Sequence, residues 1–284
     1  VTMGALLGPA EIRDLAAKLD VTPTKKLGQN FVHDANTVRR IVAAGRVTAD
    51  SRVLEIGPGL GSLTLGLTET GASVTAVEID GRLAAQLPAT VAVMQPDARL
   101  QVVHQDALTV AADDVPEQPT HVVANLPYNV SVPVLLHLLA TFPTIERVLV
   151  MVQAEVGYRI AAGPGSKVYG APSVKAAWYG SWSTAGQISR QVFWPVPNVD
   201  SVLVGFDRHD QPGDEALRAQ VFALVDGAFQ QRRKMLRQSL SGELGSSARA
   251  TELLTAAGID PTARGEALSP EDFVRLGRTV LDAS

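Results

Sequence analysis

One stretch limits the choice of fold more than any other: Val53-Leu54-Glu55-Ile56-Gly57-Pro58-Gly59-Leu60-Gly61-Ser62-Leu63-Thr64. An apolar run meets three glycines at alternate positions and leaves as a helix-forming segment. That pattern reads as a buried strand, a tight turn, and a helix whose first turn presents free backbone N–H groups. A side chain at the glycines would forbid the turn or hold a ligand off the backbone. Seventeen residues past Gly61 a second apolar run, 73–77, ends in Glu78. A carboxylate at the tip of a second strand can accept both hydroxyls of a ribose. The pair points to a nucleoside cofactor in an α/β sheet, with a purely structural glycine turn as the alternative. The spacing Gly-x-Gly-x-Gly, not Gly-x-Gly-x-x-Gly, weighs against a nicotinamide dinucleotide.

Further strands are expected at 52–56, 100–103, 121–124 and 147–152, alternating with helices at 61–68, 80–87 and 132–139. Short connections between alternating elements imply a mostly parallel, doubly wound, Rossmann-like sheet. Ligands of such sheets bind beyond the carboxyl ends of the strands. The candidate polar residues fall there: Glu55 and Gly57 after the first strand, Glu78 after the second, Asp106 after the third and Asn125 after the fourth. Asp106 suits the exocyclic amine of a cofactor adenine, or else caps a loop. Glu55 either organises the glycine turn or receives a cofactor amino group. His104 reads as a loop histidine with its hydrogen bonds satisfied.

Asn125-Leu126-Pro127-Tyr128 indicates the chemistry. The exocyclic nitrogen of adenine is a poor nucleophile because its lone pair is conjugated into the ring. The Asn125 side-chain oxygen and the Leu126 carbonyl, gripping its two hydrogens, would draw that lone pair toward an electrophile. Pro127 stiffens the turn, and Tyr128 offers a ring for stacking, worth roughly 1–3 kcal/mol per base. A sulfonium methyl held by Gly57, Gly59 and Glu78 would complete an in-line displacement by alignment and electrostatics, with no metal or strong base. Phe193 is either a second ring against the base or a core aromatic. A base entering this pocket must leave its stack.

The remaining chain supplies context. Cysteine is absent and five scattered histidines make no metal-ligand pattern. No uncharged apolar run reaches about 18 residues, so no membrane span is expected, nor is a signal segment read at the start. Residues 9–19 read as an amphipathic helix, and Asp34 as the cap of the next one. Strands at 188–193 and 202–206 are expected to complete the sheet antiparallel, after a short helix at 174–178. The polar run 207–214 reads as a linker, giving a catalytic domain with its lead-in over 1–206 and a helical domain over 207–284. Helices are expected there at 215–229, 232–240, 246–257 and 270–281, the last capped by Ser269 with Asp272. The formal charge is −4. Distribution says more than the net value: Lys25 and Lys26 could meet phosphate or lie in a lead-in loop, and Arg232, Arg233, Lys234 and Arg237 are a basic face for nucleic acid, a solvated helix face or part of a domain interface.

The ordered set of motifs resembles the bacterial ribosomal RNA adenine dimethyltransferase family over essentially the whole chain. Lys25-Lys26-Leu27-Gly28-Gln29-Asn30-Phe31 resembles its entry motif and Glu55-Ile56-Gly57-Pro58-Gly59-Leu60-Gly61 its cofactor loop. Val77-Glu78-Ile79-Asp80, Gln105-Asp106-Ala107 and Asn125-Leu126-Pro127-Tyr128-Asn129 follow in order, then Phe229-Gln230-Gln231-Arg232-Arg233-Lys234 and Arg264-Gly265-Glu266-Ala267-Leu268-Ser269. The resemblance implies an S-adenosylmethionine enzyme that dimethylates two adjacent adenosines near the 3′ end of small-subunit (16S) ribosomal RNA. Its implied substrate is an immature 30S particle, and the enzyme is expected to be a cytoplasmic monomer without metal. Gln29, Asn30, Glu55, Gly57, Gly59, Glu78, Ile79, Asp106 and Asn125 would then surround the cofactor. Asn125, Leu126, Tyr128 and Phe193 would hold the target base. Tyr169-Gly170-Ala171-Pro172-Ser173-Val174 departs from the family's usual Tyr-Gly-x-Leu-Ser-Val. A large-subunit methyltransferase of the macrolide-resistance type and an inactive RNA-binding assembly factor are the competing readings.

Overall fold

The structure, a computed structural model, describes residues 6–21, 30–127 and 130–283. After α1 (Pro9–Lys18) and the two-residue β1 (Phe31–Val32), the chain alternates: α2 (Ala35–Ala44), β2 (Arg52–Ile56), α3 (Ser62–Thr68), β3 (Ser73–Glu78), α4 (Gly81–Met94) and β4 (Arg99–His104). It continues through β5 (His121–Asn125), α5 (Ser131–Thr141), β6 (Arg147–Gln153), α6 (Ala154–Ile160), α7 (Ala171–Ala177), β7 (Gly180–Ile188), β8 (Phe193–Trp194) and β9 (Ser201–Arg208). Four helices close the chain: α8 (Glu215–Gln230), α9 (Leu236–Ser239), α10 (Ser247–Ala256) and α11 (Pro270–Asp282).

Seven strands form one sheet in the order β4-β3-β2-β5-β6-β9-β7. Strands β2 to β6 run parallel, and β9 returns antiparallel against β6, pairing Val150 with Val204. Strand order reverses between β2 and β5, and that switch point opens a crevice beyond their carboxyl ends. The core explains why these segments become strands. Val53, Leu54, Ile56, Val74, Ala76, Val122, Val123, Leu149 and Met151 are all buried, each large one worth about 1.5–3 kcal/mol. The apolar stripe of α2, Val38, Ile41 and Val42, packs into the same cluster. Asp34 caps α2 by accepting the Thr37 N–H at 2.7 Å, as its sequence position implies.

Two compact units divide the chain. One runs through Gly157 and resumes at Ser183–Arg208; the other comprises Tyr158–Trp182 and everything from His209 on. Residues 158–182, expected from the sequence in the first domain, therefore belong to the helical unit. The reason is local packing. Lys175 of α7 pairs with Asp226 of α8 at 2.7 Å and lies 5.3 Å from the Phe222 ring, while Trp178 meets the same ring edge-on. Leu217, Val221, Leu224, Val225, Leu236, Leu240, Leu253 and Leu254 are buried within this unit. Ser269 and Asp272 form the reciprocal cap that opens α11.

Two further expectations are corrected. The strand expected at 188–193 is instead the end of β7, a 3₁₀ turn and β8; β7 itself carries too many exposed polar residues to show an alternating pattern. The helix expected at 232–240 shrinks to α9, because Gln231 leaves helical geometry and residues 231–234 form a turn. Pro172 sits in the first turn of α7, where its missing N–H has no helical partner to lose.

Candidate active site

The tips of β2, β3 and β5 converge on a cavity of about 250 Å³. Its lining brings together Asn30, Glu55, Gly57, Gly59, Glu78, Ile79, Asp106 and Asn125, residues drawn from five separate stretches of sequence. The glycine loop is held from both sides. The Gly57 N–H donates to the Val77 carbonyl at 2.9 Å, and the Gly59 N–H donates to Glu78 Oε2 at 3.1 Å. Gly57 has φ +65°, and a side chain there would project into open space. Gly59 has φ +59°, and a Cβ would stand 2.8 Å from the Phe31 ring. Both positions need the left-handed conformation that glycine adopts freely. At Gly59 the ring also closes off any side chain.

Glu78 fastens its own strand end to that loop. Its Oε1 accepts the Asp80 N–H at 3.0 Å while Oε2 takes Gly59. A carboxylate offers about four acceptor sites in all, so Glu78 keeps capacity for a ligand hydroxyl beyond the backbone N–H groups it holds. Burial raises the Glu78 carboxyl above the usual range, against the pull of the Asp80, Gly59 and Ile79 N–H groups. Glu55 is deeper, 1% exposed. Its Oε2 accepts the Thr64 hydroxyl of α3 at 2.6 Å. Burial pushes it up to about 8, the Thr64 hydrogen bond opposing and the neighbouring Glu78 adding to the rise.

Asn125 ends β5 with its amide oriented: Nδ2 donates to the Asn30 carbonyl at 3.0 Å. That bond turns Oδ1 into the acceptor left for a ligand. Asp106 uses Oδ1 to receive the Leu108 N–H at 2.9 Å and lies exposed at the rim. Ile79 is 60% exposed, an apolar surface beside the cavity. His104 bonds the Ile79 carbonyl at 3.2 Å, as a satisfied loop histidine does.

Other expected site residues lie elsewhere. Lys25, Lys26, Gln29 and Tyr128 fall outside the described residues. The Leu126 side chain is buried and absent from the lining, its N–H donating to the Met151 carbonyl. Phe193 is also not in the lining: it is 1% exposed, pairs with Val32 across β1 and β8, and packs with Met151, Ile188 and Leu203. The arrangement thus makes Phe193 a core aromatic, and stacking on a base would require its ring to leave the core. Of the basic cluster, Arg232 donates to the Tyr169 carbonyl at 2.9 Å and pairs with Glu266 at 3.4 Å; Arg233 and Lys234 are exposed and Arg237 is half-buried. Among the described residues no group of three or more His, Cys, Asp or Glu is placed to hold a metal ion, and no helix is long and apolar enough to cross a membrane.

Two site features escape a motif reading. Ser62 lines the cavity with a buried Oγ that has no hydrogen-bond partner among the described residues. Buried hydroxyls are ordinarily satisfied, so this one marks a place for a ligand's polar atom. Together with the open cradle above Gly57 and the acceptors on Glu78, Asp106 and Asn125, it fits a nucleoside bearing polar substituents. Thr64 is the second; the helical period from Gly61 places it over Glu55.

A family model described as ribosomal RNA adenine dimethylase matches residues 22–280. The ribosomal RNA small subunit methyltransferase A of Leifsonia xyli subsp. xyli is 68% identical over 274 residues, covering 95% of this chain and 97% of that one. Its namesake in Streptomyces coelicolor is 60% identical over 278 residues, 97% of each chain. Among solved structures, the 23S rRNA methyltransferase ErmE superposes with TM-score 0.65 at 28% identity, over 88% of this chain and 99% of that one. A dimethyladenosine transferase from Plasmodium falciparum gives 0.72 at 21% identity, over 87% and 95%, a likeness of fold.

Proposed function

This chain belongs to the ribosomal RNA adenine dimethylase family, and from that membership we propose that it transfers methyl groups from S-adenosylmethionine to the N6 amines of two adjacent adenosines in the 3′-terminal hairpin loop of small-subunit ribosomal RNA. The product is N6,N6-dimethyladenosine. The reading includes an immature 30S particle as substrate and a cytoplasmic monomer as enzyme, with no metal taking part. The single observation that carries it is the oriented Asn125 amide in the lining of a cavity that also holds Gly57, Glu78 and Asp106.

S-adenosylmethionine supplies, when bound, a sulfonium methyl whose transfer to an amine is intrinsically downhill. The Gly57–Gly59 backbone and Ser62 Oγ would hold its methionine end, Glu78 its ribose hydroxyls, and Asp106 its adenine amine, with Ile79 offering apolar surface for the ring. Asn125 Oδ1 accepts one hydrogen of the target amine and the Leu126 carbonyl the other, drawing the nitrogen lone pair out of conjugation. Neither group moves far, because Asn30 fixes the amide and Met151 fixes the Leu126 backbone. Preorganised acceptors of this kind act by electrostatics and alignment. The amine sheds its proton to solvent as the new N–C bond forms.

The 28% identity with ErmE keeps a second reading in view, methylation of large-subunit RNA. Incubation with methyl-labelled cofactor and either undermethylated small subunits or naked large-subunit RNA, with mass analysis of the nucleosides, separates the two. N6,N6-dimethyladenosine at two neighbouring small-subunit positions is expected. Product on large-subunit RNA alone transfers the assignment to the second reading, and methyladenosine on neither overturns both.

A further inference from the structure

The cavity has an unusual charge balance. Glu55, Glu78, Asp80 and Asp106 line it, and no Lys, Arg or His is among its described lining residues. Three of these carboxyls already have work. Glu78 grips the Gly59 and Asp80 N–H groups, Asp80 caps α4 and pairs with Arg82 at 2.9 Å, and exposed Asp106 holds the Leu108 N–H. Glu55 is different. Its one hydrogen bond among the described residues is to Thr64 of α3, it receives no cation, and it is the most buried of the four.

Resting on the cofactor assignment above, we propose that Glu55 discriminates the cationic cofactor from its neutral demethylated product by exchanging a proton with solvent: neutral in the free cavity, ionised when a sulfonium cation enters, and neutral again once the bound ligand has lost that charge. A fully buried carboxyl with no cation favours its neutral form, and a positive charge in the same low-dielectric space favours the carboxylate. The groups facing Glu55 reinforce this. Glu78 on β3 and Asp106 beyond β4 are further carboxyls, Asn125 on β5 and Thr64 on α3 carry no charge, and Asp80 is answered by Arg82. Among these neighbours none competes with the ligand to be its counter-ion. Burial and Glu78 together place its titration near 8, so a proton is available to release at neutral pH. The methionine ammonium and carboxylate, common to cofactor and product, offset one another's charge, so the net charge that separates the two ligands is that of the sulfonium.

The test is calorimetric and needs no turnover. Binding of S-adenosylmethionine and of S-adenosylhomocysteine is measured at pH 6–9 in buffers of different ionisation enthalpy. At pH 7 cofactor binding is expected to release most of a proton, and its affinity to rise by up to ~tenfold per pH unit below the Glu55 titration. The product should release far less, so the preference for cofactor over product grows with pH. Glu55→Gln, an isostere of the neutral form, should abolish both the release and the pH slope. Thr64→Val, which removes the one bond that favours the carboxylate, should move the slope to higher pH. Equal proton release by the two ligands, or release that persists in Glu55→Gln, overturns the proposal while leaving the cofactor assignment intact. Failure of both ligands to bind overturns the assignment and this inference with it.

Discussion

At the scale of single residues, two side chains with ordinary chemistry are given unusual settings. Asn125 is held by a carbonyl from a residue 95 positions away, so its oxygen points where its amide would otherwise compete. Asn125→Ala should lower kcat by roughly 10²–10³, about 3–4 kcal/mol of transition-state stabilisation, while still binding cofactor. Steady-state kinetics on assembled small subunits, with a separate cofactor titration, checks both halves; unaltered turnover removes Asn125 from the mechanism. Glu55 leaves a mark on stability as well. Its folded value is raised to about 8 from 4.5, so the folded state retains a proton that the unfolded chain gives up. Its contribution is fully present below about pH 4.5 and is lost as pH rises toward 8, on the order of 3–5 kcal/mol over that window. Denaturant melts of Glu55→Gln against the parent should show the variant gaining relative stability across it. Parallel pH profiles would contradict this.

At the scale of elements, a parallel strand that ends in a polar residue advertises itself twice, by its apolar run and by the polar tip that closes it. Strands β2 to β6 were therefore legible, as were the caps of α2 and α11 and the buried leucines of α8 to α10. Strand β7 was not, because an edge strand with few buried residues has no alternation to read. Strands β1 and β8 are two residues each, too short for any period. Of the site, the glycine loop and the acids at the strand ends could be placed from chain order. The Asn125–Asn30 bond and the orphaned Ser62 hydroxyl could not, since each depends on packing between distant stretches. For Phe193 the sequence left two settings open, a stacking ring or a core aromatic, and the pairing of β8 with β1 buries the ring in the core. Phe193→Ala should therefore destabilise the fold by about 3–5 kcal/mol, read by chemical denaturation. A variant of parental stability with a raised KM for RNA would instead place the ring on the substrate.

At the scale of the whole molecule, a chain of net charge −4 must meet a polyanion through local basic surface. Arg232, though exposed, is partly committed within its own unit to Tyr169 and Glu266, and Arg233 and Lys234 lie exposed beside it. Reversing both to glutamate should raise KM for the ribosomal particle several-fold, more at low salt, with cofactor affinity intact; an unchanged KM makes them a solvated face. Function here requires the two ends of the cavity to work together, cofactor at the β2 and β3 tips and target amine at Asn125. A crystal structure with S-adenosylhomocysteine and an adenosine-containing RNA tests it most directly. The adenine amine is expected to be hydrogen-bonded to Asn125 and in line with the sulfur, with room between for a methyl group about 3–3.5 Å from the nitrogen. A sulfur too distant from Asn125 for one adenine to bridge the gap would contradict it.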